Sequence, residues 1–322
     1  MNERIGKIGA SDVGALMGYN PWSSPANQTA IILGLIEIEQ TTRMDFGKRV
    51  QPIIAEMVMD RTNRLAIEDE VTVYHPKYKW MQATPDYRIE EGLLEEQSNE
   101  FHPLELKYVG EYVSDHWGQD GDPNGVPPYV TLQCIQQANI LGKNKVTVAA
   151  LIGGHDLRIY ELDIKEKDIK ALEIATINFY EKYIVPAKLP PVDHRDIETM
   201  KKLYPVSVPK PLTAPDSFVE DHIGPYVHAK AKVTEWEEKA DLEKAEIQRY
   251  LCENDTLNNE QGDVLITWKK GKDGVNTNWK ELALTLGQWF QKEIYKKYYE
   301  ENTKPKTGSR SFLTKKAAKG EK

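Results

Sequence analysis

Ala83-Thr84-Pro85-Asp86-Tyr87-Arg88, followed after an acidic insertion by Pro103-Leu104-Glu105-Leu106-Lys107, is the stretch around which the rest of the chain is organised. Two neighbouring extended segments present two carboxylates and a lysine. Successive side chains of a strand point to opposite faces, so Glu105 and Lys107 share one face while Leu104 and Leu106 share the other. Asp86 and Glu105 offer hard oxygen donors, which suit Mg²⁺ or Mn²⁺ rather than a soft metal. Such an ion polarises a phosphoryl oxygen and lowers the pKa of a bound water, and Lys107 beside it is placed to orient that water or to stabilise developing negative charge. Phosphodiester hydrolysis needs those parts. A Glu-x-Lys pair on a strand is far more often a solvated polar face than a catalytic one, so the reading depends on the rest of the chain.

Upstream of the stretch, Ile67–Tyr74 and Trp80–Ile89 read as strands joined by the turn His75-Pro76-Lys77, and they deliver Asp86. The insertion from Glu90 to Glu100 carries five glutamates and reads as an exposed hairpin loop. Phe46, Val50, Ile53, Ile54, Met57 and Val58 recur at helical spacing, which predicts an amphipathic helix from about Asp45 to Arg61 with Pro52 as a kink or a first turn. Nearer the start, a short helix follows the glycines Gly6 and Gly9, with Ser11 a natural N-cap and Gly18 a natural stop. Its free amides, with Arg4 and Ser11 as further donors, suit a phosphate as well as they suit a plain capped helix. Asn20-Pro21-Trp22 makes a turn before a helix around Pro25 to Ile36, and Trp22 reads as a packing residue or as a surface on which a base stacks.

Downstream, Gly110 to Pro128 is a polar loop rich in Gly, Asp and Pro, long enough to be functional or mobile. Pro127-Pro128-Tyr129 starts a helix that runs through Leu141 and carries Gln133 and Gln137 one turn apart with Gln136 alongside, a pattern that ordinarily marks a solvent face. Val146–Ile152 and Leu157–Leu162 predict a hairpin, and Lys165–Ile184 a closing helix. This order of elements fits an α/β fold with one mixed sheet flanked by helices. Seven prolines between Pro186 and Pro215 mark a boundary. The predicted organisation is a core over residues 1–193, a Pro-rich connector over 194–215, and a mainly helical extension over 216–322. In that extension, Tyr226–Cys252 forms a long helix with Val233, Trp236, Ala240, Ile247 and Leu251 as its packing stripe, Leu257–Lys269 a hairpin, and Trp279–Tyr299 another helix.

The 322 residues, 40% hydrophobic and 9% aromatic, support a sizeable core. Only Cys134 and Cys252 are present, which excludes a disulfide framework, a four-cysteine zinc site and a cysteine-ligated iron–sulfur cluster. There is no apolar run near membrane-spanning length and no signal-peptide pattern at Met1-Asn2-Glu3-Arg4, which predicts a soluble cytoplasmic protein. The net charge of −8 argues against nonspecific coating of DNA, but the stretch from Lys292 to Lys322 holds ten basic residues against four glutamates. That basic, partly aromatic tail, around Gly308-Ser309-Arg310-Ser311-Phe312-Leu313, is a candidate DNA contact.

Pro85-Asp86 followed by Glu105-Leu106-Lys107 resembles the PD-(D/E)xK nuclease signature, and further matches along the first 190 residues resemble the YqaJ-like viral recombinase (phage lambda exonuclease) family. The resemblance implies a restriction-endonuclease-like core in which Asp86, Glu105 and the Leu106 carbonyl hold the metal and Lys107 activates the water. Arg4-Ile5-Gly6 through Ser11 is similar to the family's opening motif, whose arginine and serine hold the 5′-phosphate of a DNA end. Tyr129-x-x-x-Gln133 resembles its final motif, whose glutamine lies by the attacking water or scissile phosphate, a role carried to Gln133 only. Phe46-Gly47-Lys48-Arg49-Val50-Gln51-Pro52 departs from the pattern, because a glutamate usual at the Gln51 position is here a neutral amide. Glu56 lies ~140° further around the helix at ~100° per residue and is a poor substitute.

The implied activity is a Mg²⁺- or Mn²⁺-dependent exonuclease of phage-type recombination that digests one strand of double-stranded DNA ends from the 5′ side. The implied partners are further copies of the chain in a ring-shaped homo-oligomer and a single-strand annealing recombinase protein, in a bacterial host cell with the gene carried by a phage or prophage. Two alternatives stand beside it: a DNA-end-binding recombination factor with weak hydrolysis, because of Gln51, and an endonuclease of the same fold.

Overall fold

The computed structural model describes residues 5–38, 40–69, 71–92 and 100–270, with scattered positions from 279 to 301. Its contacts divide the chain into two units, Met1–Pro205 and Val206–Lys322.

The first unit opens with β1 (Ile8–Gly9), a 3-10 turn over Ala10–Asp12 and α1 (Val13–Leu16). Ser11 is not the N-cap that the sequence predicts. The turn begins at Gly9, whose amide donates to Asp12 Oδ2 at 2.7 Å, so the aspartate caps and Ser11 stands exposed within the turn. Gly18, at φ 80°, does end the segment. Next come α2 (Pro25–Ile32), capped by Ser24, and α3 (Thr42–Thr62), capped by Thr41 and closed by Asn63 in the left-handed region. Pro52 lies inside α3, and Val50, Ile54, Ala55 and Val58 form its buried stripe.

Where the sequence predicts two strands, there are four: β2 (Ala66–Glu68), β3 (Val73–Tyr74), β4 (Met81–Ala83) and β5 (Tyr87–Glu90). Each expected strand crosses from one sheet to another. Pro85 has no N–H to give a ladder, and the chain between β4 and β5 turns at Asp86. Glu91 N donates to Glu100 O at 2.8 Å at the base of the acidic insertion. The tip of that expected loop, residues 93–99, lies outside the described residues.

β6 (Phe101–Val109) pairs antiparallel with β5 and parallel with β7 (Lys145–Ile152), which pairs antiparallel with β8 (Asp156–Asp163). The result is a mixed five-stranded sheet in the order β2-β5-β6-β7-β8, with a three-stranded sheet β1-β4-β3 beside it. The expected mixed central sheet is present, and the smaller sheet is an addition to the sequence reading.

Two cores follow from strand alternation. On one face Leu104, Leu106, Ala149 and Leu151 pack with Ile54, Val58 and Ile89. On the other, Val146, Val148 and Ala150 pack with Val130, Cys134 and Ala138 of α4 (Pro128–Leu141), which Gly142 ends at φ 64°. Glu105 pairs in register with Val148, so the strand turns Glu105 and Lys107 toward α4.

The segment from Gly110 to Pro128 is not a free loop. Trp117 and Val126 join the second core, and Arg158 Nη1 donates to the carbonyls of Trp117 and Gly118 at 2.9 Å each. Gly118 and Gly125 approach so closely that a Cβ on Gly118 would lie 2.5 Å from the Gly125 Cα. After α5 (Glu166–Phe179) and a π turn over Tyr180–Ile184, the core runs past the expected end at residue 193. His194–Asp196 forms a 3-10 turn leading into α6 (Ile197–Leu203), and this segment is fastened to the Asn20–Asn27 region. Ser24 Oγ donates to buried Asp196, Asn27 Nδ2 donates to Thr199 Oγ1 at 2.7 Å, and Arg195 donates to the Asn20 carbonyl. Residues 204–215, which span the boundary between the two units, carry no helix or strand.

The second unit begins with α7 (Asp216–Phe218), which runs through a π turn at Val219–Ile223 into α8 (Gly224–Leu251). β9 (Thr256–Asn258) and β10 (Val264–Thr267) then form the predicted hairpin. The predicted stripe of α8 is largely uncovered, with Val233 46% and Trp236 65% exposed, while Leu251 is buried. The described positions from 279 to 301 are helical, and the basic tail lies outside the described residues. Among the described residues no helix is long and apolar enough to cross a membrane.

Asp196 serves two hydrogen bonds at 1% exposure, one from Ser24 and one from its own Asp193 amide. Asp196→Ala leaves both donors without their acceptor and is expected to cost about 1–3 kcal/mol of stability in urea denaturation. No change in the midpoint would show that the 194–203 segment does not fold with the core.

Candidate active site

Three elements meet around one carboxylate. Glu105, on β6, is 2% exposed and sits under α4. Its Oε1 accepts from Gln133 Nε2 at 2.7 Å and from Lys107 Nζ, and its Oε2 accepts from Gln137 Nε2 at 2.6 Å. Lys107 Nζ also donates to Gln133 Oε1 at 3.1 Å, so Gln133 bridges the acid and the base. Asp86 stands at the turn before β5, where its Oδ2 accepts from the Leu106 amide at 3.0 Å and its carboxylate is hydrogen-bonded by the Gln51 side chain from α3.

The predicted residues Asp86, Glu105, Lys107, Gln133 and Gln51 are therefore brought together, and Leu106 contributes its N–H to Asp86. Ser11 and Gln133 line one narrow crevice of about 30 Å³ with Gly9, Ala10, Gln82 and Thr84. Gly14 makes this possible: a Cβ there would lie 2.8 Å from the Tyr129 backbone oxygen, so only glycine lets α1 close on α4. Arg4 lies outside the described residues. Trp22, 58% exposed, stands edge-on to Tyr129 of α4 with ring centroids 5.4 Å apart, one turn from Gln133.

Gln137 is the residue that sequence reasoning missed. The signal was the i, i+4 spacing with Gln133, which puts both on one face of a helix. Polarity assigned that face to solvent, whereas Gln133, Gln136 and Gln137 are all buried.

Burial pushes the Asp86 carboxyl up to about 7, with repulsion from Glu105 adding to the effect and Lys107 partly offsetting it. Burial lowers the Lys107 ammonium, but attraction to Glu105 and Asp86 outweighs that and holds it above its ordinary value. Cys134, buried beside Glu105, has its thiol pushed well up by burial and is no nucleophile. Asp86 and Glu105 are the residues able to hold a hard divalent cation. Their mutual repulsion in a desolvated setting and their all-oxygen donor chemistry fit such an ion. Among the described residues no group of three or more His, Cys, Asp or Glu side chains converges, because Gln51 supplies an amide and not a third acid.

Residues 1–144 match the YqaJ-like viral recombinase domain. The match covers less than half of the chain and fits the family that its motifs resemble. The chain is also 24% identical over 208 residues to the uncharacterized protein YqaJ of Bacillus subtilis (strain 168), an alignment covering 63% of this chain and 61% of that relative's length. An alkaline exonuclease from Laribacter hongkongensis superposes on the structure with a TM-score of 0.45 at 18% identity, over 57% of this chain and 92% of that one. Its complex with dAMP gives 0.42 at 16% identity over the same shares, 57% and 92%. A phage related exonuclease from Haemophilus somnus 129PT gives 0.40 at 7% identity, over 56% of this chain and 96% of that one. The matched region contains the whole of the Asp86–Gln137 cluster.

Asp86 in the fold titrates at about 7 against an ordinary value of 3.8. Between those values the folded domain holds a proton that the unfolded chain has released, so the metal-free protein loses stability as pH rises from about 4 to about 7. Asp86→Asn is expected to flatten that slope and to raise the urea midpoint at alkaline pH. Parallel profiles for variant and wild type would place the titration on another group.

Proposed function

We propose that the YqaJ-like domain is a divalent-metal-dependent DNA exonuclease that acts on duplex ends. The observation that carries the reading is the convergence of a buried carboxylate (Glu105), a half-buried one (Asp86), a charged lysine and a bridging glutamine beneath α4. When bound, Mg²⁺ or Mn²⁺ would supply Lewis-acid polarisation of the phosphoryl oxygen and a water of lowered pKa. Asp86 and Glu105 would hold the ion. Lys107, whose ammonium is held above its ordinary value by attraction to Glu105 and Asp86, would orient the attacking water and stabilise charge developing on the phosphate. Gln133 fixes the ammonium by accepting from it while donating to Glu105.

Ser11 opens on the crevice that Gln133 also lines, which supports a role in receiving the 5′-phosphate of a DNA end, with Arg4 as its partner. Trp22 and Tyr129 form an aromatic shelf on which a base can stack. Digestion from the 5′ side to leave a 3′ single strand belongs to this proposal, as do a ring-shaped homo-oligomer and a single-strand annealing partner. They rest on the resemblance of the opening and final motifs.

Gln51 favours a second reading, a DNA-end-binding factor with weak hydrolysis, because its hydrogen bond to Asp86 adds no charge to hold a cation. One experiment separates the two. A linear duplex with a 5′-phosphate on one labelled strand is digested with Mg²⁺ or with chelator, beside a closed circular duplex. Metal-dependent loss of the phosphorylated strand, with the circle intact and Lys107→Ala slower by about 10²-fold or more, is the expected outcome. Intact linear DNA with retained end binding, converted to digestion by Gln51→Glu, overturns the exonuclease reading in favour of the binding factor. A cut circle identifies an endonuclease.

A further inference from the structure

α4 turns three glutamines inward, at 9% exposure for Gln133, 0% for Gln136 and 1% for Gln137. Their amides meet different surroundings. Gln133 is divided between Glu105 Oε1 and Lys107. Gln136 has neither its Nε2 nor its Oε1 partnered. Gln137 gives its Nε2 to Glu105 Oε2 at 2.6 Å, the shortest of the amide contacts to that acid, while its own Oε1 is buried without a partner.

We propose that Gln137 is a positioning residue for Glu105, setting the plane of its carboxylate for a divalent cation. The inference rests on the nuclease reading above. A glutamate on a strand has its backbone fixed but keeps freedom about its last torsions. Lys107, on the same face two residues along, and Gln133 both pull on Oε1. With nothing on Oε2 the carboxylate is free to swing until both oxygens face the ammonium, which turns it away from Asp86. Gln137 blocks that swing by holding the second oxygen, and as a neutral donor it does so without cancelling the charge that a cation needs. Of the Gln137 amide only the nitrogen is engaged, and it is engaged with Glu105.

The test compares one substitution at adjacent buried positions. Mn²⁺ is titrated calorimetrically into DNA-free wild type, Gln137→Met, Gln137→Asn and Gln136→Met, and each is then assayed on linear duplex. Gln137→Met deletes the amide, and Gln137→Asn withdraws it by one methylene. Both are expected to weaken Mn²⁺ binding by about 10- to 100-fold and to lower kcat, with KM for DNA within about twofold of wild type. Gln136→Met removes only unpartnered atoms, and is expected to keep wild-type Mn²⁺ affinity and kcat with an equal or higher thermal midpoint. If Gln137→Met does not fold, Gln137→Asn gives the same reading. Wild-type-like Mn²⁺ binding and turnover in the Gln137 variants overturn the inference alone, as does an equal fall in Gln136→Met, which would mark a packing effect. A wild-type protein that neither binds Mn²⁺ nor cuts DNA overturns the nuclease reading and the inference with it.

Discussion

A carboxylate at 2% exposure in the middle of a sheet must be compensated where it stands, and the compensation of Glu105 governs how the first unit is assembled. Three donors reach it, two from one helix and one from its own strand. α4 must therefore lie along this face of β6 in one register, because a rotation of the helix by one residue would move Gln133 and Gln137 off the acid together. Ala138 and Cys134, apolar and fully covered, fill the flank of the same helix against β7. The apolar contacts hold α4 down, and the glutamines decide which way round it lies. Gly14 extends the same constraint outward, since α1 reaches α4 only where no Cβ intervenes.

The second carboxylate is placed by a break instead of by a strand. β4 and β5 are consecutive in the chain yet belong to different sheets, and Thr84-Pro85-Asp86 is the crossing between them. Asp86 replaces part of the missing ladder with its own side chain, accepting from the Leu106 amide of β6. The interaction fixes the separation of the two acids through the backbone. Burial at this crossing, with repulsion from Glu105 added to it, raises the Asp86 carboxyl to about 7. The domain thus carries, in its metal-free form, an electrostatic stress that a cation would relieve.

Much of this was legible because it rests on local rules. Alternation put Glu105 and Lys107 on one face, Gly18 ended its helix, and periodicity gave Val50, Ile54 and Val58 of the α3 stripe, although Phe46 and Ile53, expected in that stripe, stand exposed. What was not legible depends on tertiary contacts. Gln136 and Gln137 read as a solvent face because polarity is the only local signal they carry, and it takes a buried acid on another element to explain Gln137. Ser11 read as a cap because nothing in the sequence says that β1 pairs with β4 and ends at Gly9, which hands the capping to Asp12. The Gly110–Pro128 stretch read as a free loop because its anchors, Arg158 and Tyr160, come from a strand far along the chain. His194–Leu203 fell outside the predicted core for the same reason, since its contacts are with residues near Ser24.

Glutamine is the residue type that gives this site its character. Gln51 holds Asp86, while Gln133 and Gln137 hold Glu105, so both acids are kept in place by neutral amides, and among the described residues the one formal positive charge bonded to them is Lys107. Charged partners in those positions would stabilise the carboxylates more strongly, but each would also offset a negative charge that hard-cation binding requires. A third acid in place of Gln51 would sharpen the repulsion and deepen the stress on the metal-free fold. The amides steer between these limits: they meet the hydrogen-bonding needs of buried oxygens and leave the net charge to Asp86, Glu105 and Lys107. With Asp86 poised near neutrality, that charge is itself adjustable, about zero when Asp86 is protonated and about −1 when it is not.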